Sequence, residues 1–341
     1  MLNEIVEILG REWRDVLIQS GIELRPPLSI LKIGNDELTR RKVNLLVFNH
    51  HEQQPILILR LTQIDEQSSF LEREYETLCK LAKHESLASS IPHPLGLLEL
   101  QGTLIVVESV VPGVSIFLYL HRRKHIRPFL VKQDFELACD FLHELERVTM
   151  DGDLPFPDAG MVQDKLEQLC VNYGSTGIPK DYQEQLLKIA DEYRSLRLVR
   201  CARHGDYWPG NFLVSSGRIG VIDWEGFTYP DDLFHDIFFF TSTYALFYPW
   251  HGWGSCSPEE AFSLGFIERN WLSARIKETL ERFFLKLNIP PRAMCLLFIL
   301  FLIEMAIPSA IKNDPRDPPQ HEKWFSLLKI IAQSKNPFLA E

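Results

Sequence analysis

The apolar pattern of this chain changes period near Pro112, and that change limits the folds open to it. Upstream, PLSILKI, KVNLLVFNH and PILILRLT are short apolar runs bounded by polar turn residues and read as strands. LGLLEL and LIVVESV, joined at Gln101-Gly102, read as a hairpin of the same sheet. Two helices are expected in this half: residues 5 to 18 as one amphipathic helix, and SSFLEREYETLCKLA, which sets Phe70, Leu71, Tyr75, Leu78 and Ala82 on one face with Glu74 at its border. From Gly113 the spacing turns helical. Gln133 to Val148, for example, aligns Phe135, Ala138, Phe141, Leu142 and Leu145. The expectation is an α+β, bilobal fold: an antiparallel-sheet lobe with helix over residues 1–112, and a larger, mainly helical lobe over residues 113–341.

Charge and cysteine usage narrow the partners. Lys and Arg number 36 against 46 Asp and Glu, a net charge of −10, which disfavours a phosphate backbone and so nucleic acid as partner. Six cysteines lie far apart with no CxxC pair and read as reduced thiols. The N-terminal stretch carries acidic residues where a leader would carry basic ones, so a cytoplasmic location is expected. The apolar run Ala293–Ile303 is far short of the roughly 20 residues that cross a bilayer and reads as a buried helix, with no membrane partner.

The chemistry gathers in RHGDYWPGNFLVSSGRIGVIDWEGF, Arg203 to Phe227. Pro209 and Gly210 bar a helix between Asp206 and Asn211. FLVSS and RIGVID then form a hairpin signal around Ser216-Gly217. A hairpin returns the chain to its start, so Asn211 and Asp223 fall side by side. Two oxygen ligands there suit Mg²⁺, which keeps few protein ligands and takes others from water and phosphate. Asp206 stands on the same loop, placed to receive a hydroxyl proton. Upstream, Arg60 interrupts an apolar strand, where a charge needs a partner.

HGD, four residues, Asn, then IDWE resembles the catalytic core of the aminoglycoside phosphotransferase and choline kinase-like family, which has a protein-kinase-like fold. The resemblance implies a small-molecule kinase that moves the ATP γ-phosphoryl group to a hydroxyl. It implies Asp206 as catalytic base, His204 as buttress of the loop, and Asn211 and Asp223 as Mg²⁺ ligands. It also implies that Arg60, in place of the usual Lys, pairs with Glu74 to hold ATP phosphates, a pair that residues alone allow as a structural ion pair. The hinge that meets adenine would be Ser109 and Val111, and Asp236 would open a helix and brace the catalytic loop, where the helix dipole alone also favours an acid.

Departures from that pattern are informative. IGNDELTRRK offers only Gly34 where a glycine-rich phosphate loop is expected, and Asn44 stands near the start of the next strand. Twelve residues separate Asp223 from Asp236, leaving no platform for a protein substrate. His143 reads as packing and His121 to His125 as a solvated helix end. The acceptor expectation leans to a cationic amino alcohol or aminoglycoside-like compound, on the net charge, Asp231, Asp232, Glu225 and the aromatics Trp250 and Trp253. The alternative is a catalytically lapsed nucleotide-binding or scaffold protein, against which stands the retention of Asp206, Asn211 and Asp223 together.

Overall fold

The computed structural model describes residues 2–33, 43–62, 68–122, 127–250, 256–308 and 320–334. The segment around Gly34, most of the HRRKH cluster and Trp253 lie outside the described residues. The chain divides into two compact units, residues 1–114 with 211–227, and residues 115–210 with 228–341. The hairpin thus counts with the first unit although it is reached late in the sequence.

In the first unit, α1 (Leu2–Arg11) and α2 (Arg14–Gln19) precede β1 (Ser29–Ile33), β2 (Val43–Phe48) and β3 (Leu57–Leu61). Then come α3 (Ser68–Leu81), α4 (Glu85–Ala88), β4 (Pro94–Leu100) and β5 (Thr103–Ser109), and the short β6 (Val114–Ser115) falls where the chain passes from the first unit to the second. The sheet runs β1-β2-β3-β5-β4 with antiparallel neighbours. Its two faces differ in a way that parity explains. Val43, Leu45, Val47, Leu57, Leu59, Leu61, Ile105 and Val107 join Ile5, Leu9 and Leu17 in one hydrophobic core. The alternate positions carry Asn44 opposite Arg60, Arg60 opposite Val106, and Ile58 opposite Glu108, so Arg60 and Glu108 are diagonal neighbours on the other face. The single helix expected over residues 5 to 18 is two helices. The break falls at Glu12 and Trp13, where the Trp13 indole covers Gly96 so closely that a Cβ there would sit 2.7 Å from the ring.

The second unit holds α5 (Ile116–Arg122), α6 (Pro128–Thr149), β7 (Gly152–Pro155), α7 (Ala159–Tyr173), α8 (Lys180–Glu192) and β8 (Arg197–Arg203). The hairpin strands β9 (Phe212–Ser215) and β10 (Arg218–Val221) intervene. The second unit resumes with β11 (Thr228–Asp231), α9 (Phe234–Phe247), α10 (Pro258–Phe266), α11 (Trp271–Lys286), α12 (Pro291–Ala306) and α13 (Gln320–Gln333). Within the Pro- and Asp-rich stretch Asp151–Gly160 lies β7, which pairs antiparallel with β8. With β11 these form a three-stranded sheet that helical spacing gave no sign of. Helix α12 is buried along most of its length, as its unbroken apolar run implies. No single described helix is long and apolar enough to cross a membrane.

Candidate active site

The hairpin forms as its residues dictate. Ser216 and Gly217 take φ of 49° and 76°, the left-handed pair of a tight two-residue turn, and the strands register from Arg218 with Ser215 to Val221 with Phe212. One step beyond that register the Ile222 N–H donates to the Asn211 carbonyl at 3.0 Å. Asn211 and Asp223 therefore stand at the same end of the hairpin. Asn211 is buried, whereas the Asp223 side chain is 32% exposed. Asp223 has φ 69° and ψ 67°, a left-handed conformation that Asp tolerates better than most residues.

Arg60 reaches this end of the hairpin from β3. Its Nη1 donates to Glu74 Oε1 at 3.0 Å and to Asp223 Oδ1 at 3.3 Å. Its Nε lies 3.1 Å from Glu108 Oε2, an ion contact rather than an aligned hydrogen bond. Glu74 Oε1 also accepts the backbone N–H of Trp224 at 3.0 Å, so helix α3 holds the peptide that follows Asp223. Burial alone would lower the Arg60 pKa, but the carboxylates of Glu108, Glu74 and Asp223 outweigh it and raise the guanidinium above its ordinary value. The expected Arg60–Glu74 pair is present. Glu108, fully buried, is a third carboxylate that sequence reading passed over. Its signal was there: an acid inside the apolar run LIVVESV, the same anomaly that drew attention to Arg60.

Ser109 and Val111 lie on the exit from β5. The Ser109 N–H donates to the His93 carbonyl at 2.9 Å, and its Oγ accepts from the His93 N–H at 2.9 Å. Among the described residues the Val111 N–H has no backbone hydrogen bond. The Val111 side chain lies over β10 at Gly220, where an added Cβ would fall 2.0 Å from Cγ1, so only glycine allows this approach. Asn44, cross-strand from Arg60, is half-buried with its Oδ1 unpaired among the described residues.

Within the second unit the loop of Asp206 is held by its backbone. The His204 and Gly205 N–H groups donate to Asp236 Oδ2 and Oδ1 at 2.7 and 2.9 Å. Asp236 sits in the first turn of α9, fully buried, and does brace the loop. Burial pushes its carboxyl up to about 7 against the two N–H bonds that favour the anion. His204, fully buried, accepts the Asp206 N–H on Nδ1 at 3.2 Å, which leaves the proton of a neutral ring on Nε2. Tyr207 donates its hydroxyl to the Ala138 carbonyl on α6 at 2.7 Å. Ser115 Oγ donates toward the Pro209 and Gly210 carbonyls at 3.2 and 3.1 Å. The Asp206 side chain itself stays half-buried, five residues before Asn211 in the chain.

The other expected acceptor features fare unevenly. Asp231 is engaged by Arg203 at 3.3 Å and by the Thr228 hydroxyl at 2.8 Å. Burial and the neighbouring Asp231 push Asp232 up to about 6. These two acids serve the protein's own structure. Trp250 donates Nε1 to the Ala245 carbonyl at 3.0 Å and packs edge-on to Tyr248. A different aromatic group lies nearer the loop in sequence: Trp208 meets Phe117 at 5.4 Å and Phe247 at 5.7 Å, each ring half-buried. His143 stacks on Phe283 at 4.6 Å, a packing role.

A model of the phosphotransferase enzyme family matches residues 44–276. No curated protein matches the chain by sequence. Among solved structures, a thermostable mutant of aminoglycoside phosphotransferase APH(4)-Ia, in ternary complex with ADP and hygromycin B, is similar over 95% of this chain and 99% of that one, at 14% identity and TM-score 0.51. Macrolide 2'-phosphotransferase MphH from Brachybacterium faecium, as apoenzyme, is similar over 94% and 98%, at 16% identity and TM-score 0.52. The likeness is one of fold, the protein-kinase-like α+β fold of these enzymes.

Proposed function

Because the chain belongs to the phosphotransferase enzyme family, we propose that it transfers the γ-phosphoryl group of ATP, presented with Mg²⁺, to the hydroxyl of a small molecule. The observation that carries this reading is the meeting of Asn211 and Asp223 at one end of a hairpin that also receives the Arg60–Glu74 pair. A metal would fit there. The donors are oxygens, and Mg²⁺ needs few from protein. Three carboxylates around one guanidinium also leave negative charge in excess, and Asp223 is the exposed member of the three. Bound there, Mg²⁺ would supply neutralisation of the β- and γ-phosphate charge.

The remaining roles belong to the chain. Arg60, fixed by Glu74, turns a permanent cation toward the phosphates. At the hinge, the Val111 N–H is available for adenine, whereas that of Ser109 is taken by His93, so Ser109 would contribute through its carbonyl. The Asp206 carboxylate accepts the acceptor's hydroxyl proton as its oxygen bonds to the γ-phosphorus and the bond to the ADP oxygen breaks. His204 is a positioning residue that fixes the Asp206 backbone. For the acceptor, the net charge of −10 favours an amine-bearing alcohol over a neutral sugar.

ADP release, measured with a panel of hydroxyl compounds, tests the reaction. Release that depends on both Mg²⁺ and an acceptor is expected, and a chain that binds ATP but releases no ADP with any acceptor would favour a lapsed enzyme. Amine-bearing alcohols should be turned over faster than neutral sugars at low salt, with the gap narrowing as salt screens charge.

A further inference from the structure

The pairing of a strand cation with a helix Glu accounts for Glu74 but leaves Glu108 unexplained. Glu108 is fully buried on β5, diagonal to Arg60, and its Oε2 lies 3.1 Å from Arg60 Nε. A buried carboxylate carries a large desolvation cost unless a cation answers it. Here one guanidinium answers three acids at once, Nε toward Glu108 and Nη1 toward Glu74 and Asp223. An ammonium is a single nitrogen and could serve the acids at Nη1 or the acid at Nε, not both sets.

We propose that Glu108 is a positioning residue for phosphoryl transfer, and that it is the reason this strand carries Arg at position 60. Resting on the reading of the site given above, the assignment has two physical parts. The Glu108 charge draws the Nε edge of the guanidinium toward β5, while the hydrogen bonds from Nη1 aim it at Glu74 and Asp223. Glu108 also shares the positive charge. Without it, Arg60 would bind Asp223 more tightly and compete with Mg²⁺ for the one carboxylate of the three that is open to solvent, 32% exposed against 1% for Glu74 and 0% for Glu108. Glu108 thereby keeps the internal cation from displacing the external one.

A double-mutant cycle between Arg60→Lys and Glu108→Gln tests this, with two readouts. The first is the thermal unfolding midpoint, which needs no ligand. Arg60→Lys alone should lower it strongly, and adding Glu108→Gln should restore part of the loss, because the acid left unanswered is removed. The second is the Mg²⁺ concentration that half-saturates binding of ATP, measured by calorimetry in the absence of acceptor. Glu108→Gln alone should raise that concentration roughly tenfold, within the usual coupling between charged groups in contact, whereas Glu108→Asp should recover part of it.

Additive effects on both readouts would overturn the proposal. Coupling in the unfolding midpoint with an unchanged Mg²⁺ requirement would reduce Glu108 to a structural ion partner and would also overturn it. A wild-type protein that binds no ATP at any Mg²⁺ concentration would bring down the reading of the site itself, and the positioning role with it. If wild-type binding is Mg²⁺-dependent and the cycle is additive, the reading of the site stands and only the assignment of Glu108 falls.

Discussion

Glu108 and Asp236 are both fully buried carboxylates, one in each unit, and the protein answers them in different ways. Around Glu108 the answer is a charge: Arg60 is shared among three acids, each within 3.3 Å. Around Asp236 it is a pair of backbone N–H groups, from His204 and Gly205, at 2.7 and 2.9 Å. A shared cation makes a set whose members depend on one another, because removing it takes the same countercharge from every acid at once. Dipoles supplied by backbone cannot be removed by mutation, so the loop of Asp206 should tolerate the loss of any single side chain other than Asp236 better. The first arrangement suits the proposed exchange of a metal and phosphates, and the second the proposed loop that would stay still while one proton moves.

The largest expected effect separates the two regions by what they do. Asp206→Asn should cut turnover by about 10² or more while leaving Mg²⁺-dependent ATP affinity nearly unchanged, as loss of a positioned proton acceptor does. Asp223→Ala and Asn211→Ala should instead abolish the dependence of ATP binding on Mg²⁺. Calorimetric titration of ATP with and without Mg²⁺, beside steady-state ADP release, distinguishes these patterns. A shared pattern in all three variants would break the division of labour.

Next in size is the shared cation itself. Arg60→Met keeps much of the side-chain volume but leaves Glu74 and Glu108 without their guanidinium, and removing one partner of a buried pair typically costs about 3–5 kcal/mol. Denaturant unfolding of the variant measures that loss. A cost below about 1 kcal/mol, the scale of exposed pairs, would show that other groups compensate the acids.

How much of this was readable in the sequence follows from what kind of signal each residue leaves. The hairpin was legible because Ser216-Gly217 is a turn signal between two apolar runs, and it alone places Asn211 beside Asp223. Arg60 was legible as a charge in an apolar strand. Glu108 carried the same signal yet was overlooked, because it falls near the end of its strand, where an acid normally reads as a solvated boundary. Which face of β3 Arg60 occupies was also readable in principle, since Leu57, Leu59 and Leu61 take the core by parity. The small sheet β11-β8-β7 was not. Its strands are short, β7 looks like turn chemistry, and β8 interleaves Arg197, Arg200 and Arg203 with apolar residues instead of forming a run. The backbone bonds to Asp236 leave no residue-level trace on the donor side, so the brace was available only through resemblance.

The loop region gives a middle-sized test with a pH signature. Asp236→Asn keeps one acceptor oxygen and should leave one N–H of His204 or Gly205 unsatisfied, costing about 1–3 kcal/mol. Burial raises the folded-state carboxyl from its ordinary 3.8 to about 7. A raised folded pKa means the protonated group is favoured in the fold. Its contribution is therefore fully present below pH about 4 and is lost as pH rises through about 7. The stability difference between wild type and Asp236→Asn should accordingly shift against the wild type between pH 4 and 7. Unfolding curves across that window that run parallel for the two proteins would place the titration elsewhere.

The smallest expected effect probes whether the loop's supports share their load. Tyr207 is fully buried and donates its hydroxyl to the Ala138 carbonyl at 2.7 Å, tying the residue after Asp206 to α6. Tyr207→Phe keeps the ring, which packs against Phe141 and meets His204 edge-on. The carbonyl it abandons lies inside α6, where the helix supplies its own donor, so no polar group is stranded. The hydrogen bond to the Ala138 carbonyl is lost, a neutral bond with a net value of about 1 kcal/mol. The bonds from His204 and Gly205 to Asp236 and from Ser115 to the following peptides remain, so turnover should fall no more than a few-fold with ATP affinity unchanged. By contrast, Glu74→Gln in the charge-held region removes one of three acids sharing Arg60 and should change Mg²⁺-dependent ATP binding. Measured together, the two variants decide the matter: a Tyr207→Phe loss of turnover as large as that of Asp206→Asn would mean that the loop is held by one contact and that the contrast between the two regions is false.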